Sequence, residues 1–140
     1  MIQSGDLHVT PNTDIPTILN TLHDAFHGRD MDTIGRYFDE HAQIVTPDGV
    51  MQGRAAKISD ELRVFEMFDD CSIEVTSTVV QGNEAVEFSH LRGVAKIGPL
   101  SGSKVEMRYV VLYRFSGDKI TFQEICFDRL ALATQLGMAA

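Results

Sequence analysis

Apolar residues in the first half of the chain recur every three or four positions, the spacing of a buried helix face. This spacing predicts three helices, over residues 14–28, 32–38 and 54–70. The first has an acid, Asp14, at its start, a proline, Pro16, in its first turn and a glycine, Gly28, at its end, all typical of helix boundaries. Between the second and third helices, residues 42–46 predict a short strand that ends in a turn at residues 47–49.

The second half of the chain alternates apolar and polar residues, which is the period of a half-buried strand. It predicts four strands: from residue 71 to a turn at 82–83, and then over 84–97, 105–115 and 119–127. A last helix is expected at residues 130–136. This order predicts an α+β domain, in which helices cover one face of a curved antiparallel sheet and leave a pocket for a small molecule at the open end.

The length of 140 residues, 15.5 kDa, allows one domain. Residues 1–13 show no period, so we expect a loose N-terminal arm followed by a single domain over residues 14–140. The sequence has no signal-peptide pattern and no stretch that approaches the ~20 apolar residues of a membrane-spanning helix. The two cysteines, Cys71 and Cys126, are isolated and expected to be reduced, which favours a cytoplasmic location.

The charge of the chain bears on its partners. Twelve Lys and Arg against twenty Asp and Glu give a formal net charge of −8. Nucleic acids and anionic membranes are bound mainly through Lys and Arg, so we expect neither as a partner. The sequence also contains no glycine-rich phosphate motif, no nucleophile elbow and no metalloprotease helix, so we expect neither nucleotide chemistry nor covalent acyl transfer.

The last predicted hairpin supplies the first candidates for chemistry. If residues 117–118 form its turn, one face of the sheet carries a shared row: Phe122, Glu124, Cys126 and Asp128, beside Tyr109, Val111 and Tyr113. Asp128 ends this apolar and aromatic row, where a carboxyl group facing a pocket would suit proton transfer. An Asp directly before a helix is equally the usual N-cap residue, and a register shift of one residue would exchange the faces. Both interpretations of Asp128 stay open here.

Histidines form a second set of candidates. His90 lies on the strand over residues 84–97, where an imidazole could orient a carbonyl or relay a proton; a hydrogen-bonded core histidine is the commoner alternative. His23 and His27 are four residues apart on one helix face, but no third ligand is evident, so no metal site is expected. Substrate contacts are expected from six residues: Tyr109, Tyr113, Glu124, Cys126, Phe26 and Phe65.

Several stretches of the chain resemble a known family. They are residues 30–32, 47–49 with 53–54, the run YRFSGDKI at 113–120, then Glu124, Phe127-Asp128 and residues 135–137. Together they are similar to SnoaL-like polyketide cyclases, and the resemblance covers the chain after about residue 13. It implies the cone-shaped nuclear transport factor 2-like fold.

The resemblance also implies an activity. In SnoaL-like cyclases, the aspartate that ends the last strand acts as general acid and base in an intramolecular aldol closure without a cofactor, and Asp128 matches that position. The chain is therefore expected to be a cofactor-independent cyclase or isomerase acting on a small apolar carbonyl compound, with Asp128 and, as a weaker match, His90 as catalytic residues. Cys126 stands where the family tends to have a bulky aromatic residue, and this departure argues against the polycyclic substrate of the family.

Two alternatives accompany this hypothesis. The same fold could serve as a non-catalytic module for small-ligand binding or dimerisation, in which case Asp128 would only cap the last helix. A dehydratase or an epoxide hydrolase would instead need a second carboxylate or an ordered water in the pocket. In each case the exposed face of a sheet rich in Val and Phe predicts a homodimer that pairs through its sheets.

Overall fold

The computed structural model describes residues 14–139, which form four helices and six strands. The helices are α1 (Ile15–His27), α2 (Met31–Arg36), α3 (Arg54–Met67) and α4 (Arg129–Gln135). The strands are β1 (Phe38–Thr46), β2 (Gly49–Gln52), β3 (Phe68–Gln81), β4 (Glu84–Ala95), β5 (Lys104–Ser116) and β6 (Lys119–Phe127). The α+β prediction is confirmed, whereas the expected arm at residues 1–13 lies outside the described residues.

The six strands form one curved sheet in the order β2-β1-β6-β5-β4-β3. All neighbouring strands are antiparallel except β1 and β6, which run parallel. The sequence predicted five of these strands and missed β2. That strand has only four residues, three of them exposed, so it shows no alternation of apolar and polar positions. It pairs with β1 at the edge of the sheet.

Helix α1 follows the sequence prediction closely. The Asp14 side chain accepts a hydrogen bond from the backbone N–H of Thr17 at 3.2 Å, and a proline stands in the first turn. This cap satisfies one of the free amides at the helix start. The helix then buries one apolar face against the sheet: Ile15, Ile18, Leu19, Leu22, Ala25 and Phe26. Among the described residues, no helix is long and apolar enough to cross a membrane.

Two groups of buried side chains make up the core. One lies between α1 and the centre of the sheet and includes Phe38, Phe115 and Ile120. The other lies under α4, around Phe68 and Leu132. The two groups meet at partly buried side chains that contact both: Val64, Cys71, Ile73 and Tyr109. The cavity of the protein opens at this junction.

The last hairpin departs from the predicted register by one residue. Phe115 faces Ile120 as expected, but a bulge follows, so that Arg114 faces Phe122 and Thr121 is left as the extra residue. Beyond the bulge Tyr113 faces Gln123 instead of Phe122. Since neighbouring residues of a strand point to opposite faces, a shift of one residue exchanges the faces of the rest of β6. This exchange decides which residues reach the cavity.

The loop after β4 packs against the end of α4. Gly98 in this loop has a φ of +80°, and a Cβ atom there would lie 2.5 Å from the backbone oxygen of Leu136. Glycine is therefore required both for the backbone conformation and for the close approach. The contact holds the loop, which includes Ile97, beside Leu136 at the end of α4. Ile97 and Leu136 both line the cavity.

Candidate functional site

A cavity of about 460 Å³ lies between the inner face of β4–β6 and the helices α1, α3 and α4. Its size and its mostly apolar wall are those of a pocket for a small organic molecule. Three of the expected contact residues, Phe26, Tyr109 and Tyr113, line it. Phe65 does not; its ring packs on Phe26 with 5.0 Å between ring centroids. The role of these side chains as substrate contacts stays a prediction.

A carboxylate and an imidazole meet in the cavity wall. Nε2 of His23, on α1, lies 2.8 Å from Oε2 of Glu87, on β4. A carboxylate accepts hydrogen bonds, so the imidazole nitrogen is the donor in this pair. The Glu87 side chain is 2% exposed and the His23 side chain 20%, and both line the cavity. The pair therefore places a carboxylate and an imidazole, two groups that can exchange a proton, in a pocket whose wall is mostly apolar.

Two tyrosines of β5 stand beside this pair. Burial raises the pKa of Tyr113 well above its ordinary value, and the negative charge of Glu87 acts in the same direction. Burial likewise raises the pKa of Tyr109. Both hydroxyl groups consequently stay protonated at every ordinary working pH. Each can therefore donate a hydrogen bond to a ligand oxygen.

Helix α3 contributes a second buried ion pair. Nζ of Lys57 lies 2.6 Å from Oε1 of Glu61, one turn along the same helix. The Lys57 side chain is 2% exposed, and its ammonium lies 5.1 Å from the centre of the Phe38 ring. Lys57 and Glu61 both line the cavity. Close by, burial raises the pKa of the Cys71 thiol to about 11, so this sulfur is a thiol at neutral pH.

Charged side chains surround the cavity at the end nearest α4. Asp48, in the turn between β1 and β2, lies 3.1 Å from Nε of Arg129 and 3.8 Å from Arg63. Arg63 also lies 3.7 Å from Asp60. Burial raises the pKa of Asp60, since its carboxylate loses part of its hydration there. Two arginines and two aspartates thus balance one another at this end.

The expectation that Glu124, Cys126 and Asp128 lie on the cavity face is wrong, because the bulge at Thr121 turns them to the outer face. Cys126 and Asp128 are exposed. The Asp128 carboxylate accepts a hydrogen bond from the backbone N–H of Ala131 at 2.9 Å and so caps α4. In their place β6 turns three other residues into the cavity: Gln123, Ile125 and Phe127.

His90 also lies away from the cavity. Burial alternates along β4, with Glu87, Ser89 and Leu91 buried and their neighbours less so. His90 therefore belongs to the outer face, where its Nε2 lies 3.5 Å from a carboxylate oxygen of Glu106. Neither of the two residues expected to be catalytic reaches the cavity. Within residues 14–139, no three His, Cys, Asp or Glu side chains come together as a metal site would require.

Comparison with known proteins settles the family. The profile of the SnoaL-like domain matches residues 19–123, three quarters of the chain. The chain belongs to the SnoaL-like domain family. The resemblance seen in the sequence is therefore confirmed. No curated protein sequence matches this SnoaL-like domain.

Solved structures show the same fold. A candidate SnoaL-like polyketide cyclase from Jannaschia sp. CCS1 superimposes with a TM-score of 0.79 at 20% identity, over 89% of this chain and 92% of the other. IdmH, a candidate polyketide cyclase from Streptomyces antibioticus, gives 0.79 at 20% identity, over 89% and 99%. An NTF2-like protein of unknown function from Burkholderia pseudomallei K96243 gives 0.73 at 14% identity, over 96% and 98%. The prediction of a nuclear transport factor 2-like fold is confirmed.

Sequence reasoning missed the pair at the centre of the SnoaL-like domain. Glu87 and His23 are 64 residues apart, and no spacing rule connects them. The sequence contains one signal for Glu87: it falls on the same face of its strand as Ala85, Ser89 and Leu91. The opposite phase, with Val86 and Phe88, is equally apolar in sequence, so the alternation alone could not show which phase faces the helices.

Proposed function

We propose that this SnoaL-like domain catalyses cofactor-independent proton transfer in a small, largely apolar carbonyl compound, as a cyclase or an isomerase. The observation that supports this most is the Glu87–His23 pair, 2.8 Å apart in the wall of a mostly apolar cavity. An imidazole held in place by a buried carboxylate can act as a general acid and base. The catalytic role expected for Asp128 is reassigned to His23, with Glu87 as the residue that positions it.

The pair defines which imidazole nitrogen reacts. Because Nε2 of His23 donates to the Glu87 carboxylate, Nδ1 is the nitrogen that takes up and returns a proton. In the proposed reaction, the bond between a carbon beside the carbonyl and its hydrogen breaks, and the proton moves to Nδ1. The electron pair of that bond passes to the carbonyl oxygen and gives an enolate. The Glu87 carboxylate stabilises the imidazolium that forms.

The enolate then has two possible fates. In an isomerase the proton returns from Nδ1 to a different carbon. In a cyclase the enolate carbon attacks a second carbonyl of the same molecule, and the proton goes to the new alkoxide oxygen. Tyr109 and Tyr113, which keep their protons, and the ammonium of Lys57 line the same cavity and would stabilise the negative oxygen.

The alternative of a binding module without catalysis is supported by the exposed position of Asp128. The residue that matches the family's acid and base only caps a helix here. A dehydratase or epoxide hydrolase has support in further carboxylates that line the cavity, Asp60 and Glu61. Both are paired, Glu61 with Lys57 at 2.6 Å and Asp60 with Arg63 at 3.7 Å. Of these three functions, proton transfer is the one that gives the Glu87–His23 pair a role.

An exchange measurement tests the proposal. The protein is incubated in D₂O with 1-tetralone, a bicyclic ketone, and loss of the α-hydrogen signals is followed by NMR. We expect exchange faster than in buffer with an equal concentration of an inert protein. Exchange no faster than in that control would favour the binding module. The measurement needs no knowledge of the natural substrate, because deprotonation precedes either cyclisation or isomerisation.

We also propose that two copies pair through the outer face of the sheet. This face carries apolar side chains on three neighbouring strands: Val79, Val86, Phe88, Val110 and Leu112. Phe88 is 44% exposed and Val79 56%. Around them stand pairs of opposite charge, such as Arg114 with Glu84 at 2.6 Å. A surface with both signs of charge can complement itself, as a two-fold dimer interface must.

Sedimentation equilibrium tests the dimer. At micromolar concentration we expect a mass of twice 15.5 kDa. Phe88→Asp places a charge in the centre of the interface and is expected to give monomers. Val50→Asp, at a valine that is 66% exposed on the edge strand β2, is the matched control and should stay dimeric. A wild-type mass of one chain would contradict the proposal.

A further inference from the structure

The cavity has an apolar part that the proposed proton transfer does not use. Six side chains of its wall form this part, which we call the apolar compartment: Met67, Phe68, Leu91, Met107, Leu132 and Leu136. All six belong to the group of core residues under α4. His23, on α1, and Glu87, which faces Val111 in the sheet, line the part that belongs to the other core group. The cavity therefore joins a reactive part to a part lined by hydrocarbon.

The sheet sets the distance between the two parts. On the inner face of β4, Leu91 follows Glu87 by four residues, with Ser89 between them. Strand residues advance about 3.3 Å each, so the apolar compartment begins about 13 Å along the sheet from the Glu87–His23 pair. An extended carbon chain advances about 1.2 Å per bond, a third of the span of one extended residue, so about ten bonds cover this distance. A ligand that uses both parts is therefore long rather than compact.

The wall of the apolar compartment suits a saturated chain. Its six side chains carry no hydrogen-bonding group apart from the thioethers of Met67 and Met107, which are weak acceptors. A polar ligand group placed there would lose its hydrogen bonds to water without replacement, which is costly. Methionine is unbranched and flexible, so the two methionines let the wall adapt to a chain. Because the sheet is curved, a flexible chain can follow its inner face over this length, whereas a rigid ring system cannot.

We propose that the apolar compartment binds an unbranched alkyl chain of the ligand. This deepens, and rests on, the proposed function: the substrate class becomes carbonyl compounds with an unbranched saturated chain of about ten carbon atoms. The carbonyl end lies at the Glu87–His23 pair, and the chain runs along β4 and β5 to Leu91 and Met107, which face each other in the sheet. Removal of the chain from water stabilises the complex.

Methionine methyl groups report the position of the chain in the wild-type protein. Met67 and Met107 belong to the apolar compartment, whereas Met31 and Met51 do not line the cavity that the described residues form and serve as internal controls. With ¹³C in the methionine methyl groups, 2-decanone is added and its contacts are read from nuclear Overhauser effects. We expect the terminal methyl group of the chain to contact at least one of Met67 and Met107, and the methyl group beside the carbonyl to contact neither. Contact of the chain end with neither methionine, or contact from the carbonyl end instead, would overturn the proposal.

Chain length provides a second measurement on the wild-type protein. Dissociation constants of 2-hexanone, 2-octanone and 2-decanone are compared by isothermal titration calorimetry. Each methylene group that moves from water into an apolar pocket strengthens binding about four-fold, so 2-decanone should bind at least about 30-fold more tightly than 2-hexanone. A smaller ratio, or no binding of 2-decanone, would overturn the proposal, since the chain would then remain in water.

A variant locates the chain. Met107→Trp fills part of the apolar compartment, so the ratio of the two affinities should fall to about a tenth or less of the wild-type ratio, while 2-hexanone, too short to reach Met107, binds within about two-fold of wild type. Met51→Trp, at another partly buried methionine but outside the cavity wall, is the matched control and should keep the full ratio. A larger ratio in a folded Met107→Trp protein would overturn the assignment to this compartment. If Met107→Trp does not fold, the methionine contacts in the wild-type protein decide.

Binding of the chain and proton transfer can be separated in these results. Contacts of 2-decanone with Met67 or Met107 without any exchange of 1-tetralone would refute the proposed proton transfer and leave the alkyl-chain site in place. Exchange of 1-tetralone with no gain in affinity along the ketone series would refute the alkyl-chain site and leave the proton transfer in place. The two proposals therefore fail by different observations.

Discussion

Glu87→Gln is expected to slow the exchange of 1-tetralone α-hydrogens by at least about 100-fold, the usual contribution of a positioned general acid and base. The amide has nearly the shape of the carboxylate, so the cavity keeps its volume. It carries no charge, so it no longer stabilises the imidazolium of His23. Its N–H₂ group can also donate to Nε2 and hold the imidazole in the wrong tautomer.

Glu124→Gln is the matched control for this substitution. It is the same chemical change on strand β6 of the same sheet, but Glu124 lies on the outer face of the sheet, away from the cavity. Its exchange rate should stay within about two-fold of wild type, since surface changes of this kind have small effects. Circular dichroism and the midpoint of thermal unfolding establish that both variants are folded. A Glu87→Gln protein that exchanges at the wild-type rate would contradict the role of the pair.

Lys57→Met should lower the free energy of unfolding by about 3 kcal/mol, measured by urea denaturation. Methionine fills nearly the volume of the lysine stem, so the effect is not that of a hole in the core. What changes is the pairing of Glu61, whose side chain is 15% exposed and loses the ammonium 2.6 Å away. A partly buried carboxylate without its partner is more costly than the intact pair.

Two comparisons make this prediction specific. The double variant Lys57→Met/Glu61→Leu removes both charges and should recover most of the lost stability, because neither partner is then left unpaired. Lys96→Met breaks an exposed pair with Asp69 at 3.8 Å and a hydrogen bond to the backbone oxygen of Phe65 at 3.2 Å, and should cost about 1 kcal/mol, since it leaves no buried charge unpaired. If Lys57→Met were no more destabilising than Lys96→Met, the buried pair would not hold α3 in place.

The helices and most strands could be predicted because their signals are local. Asp14 and Gly28 mark the ends of α1 by the chemistry of helix caps, and the structure places both at those ends. Strand β6 has the predicted bounds, Lys119–Phe127. What failed was the register inside the last hairpin, because nothing in the residues around Thr121 marks the bulge. One extra residue was enough to send Asp128 to the surface.

The candidate site was harder to predict because its parts come from distant elements. The sequence put Tyr109 and Tyr113 in the cavity, since both lie on the apolar face of one strand. The sequence relates His23 only to His27, one turn along the same helix, whereas its partner in the structure, Glu87, is on β4. Such a contact depends on how α1 lies across the sheet, which a single sequence does not contain. The hypothesis about Asp128 rested on the family position and on a register that the bulge changes.

The most direct test of the central claim compares two variants in the 1-tetralone exchange measurement. Asp128→Asn keeps the cap of α4, since asparagine caps helices as well as aspartate, and it removes the acid at the position that matches the family's catalytic residue. His23→Gln removes the imidazole from the cavity. The account predicts a rate within about two-fold of wild type for Asp128→Asn and a loss of at least about 100-fold for His23→Gln. The reverse result, loss in Asp128→Asn with His23→Gln unaffected, would contradict it.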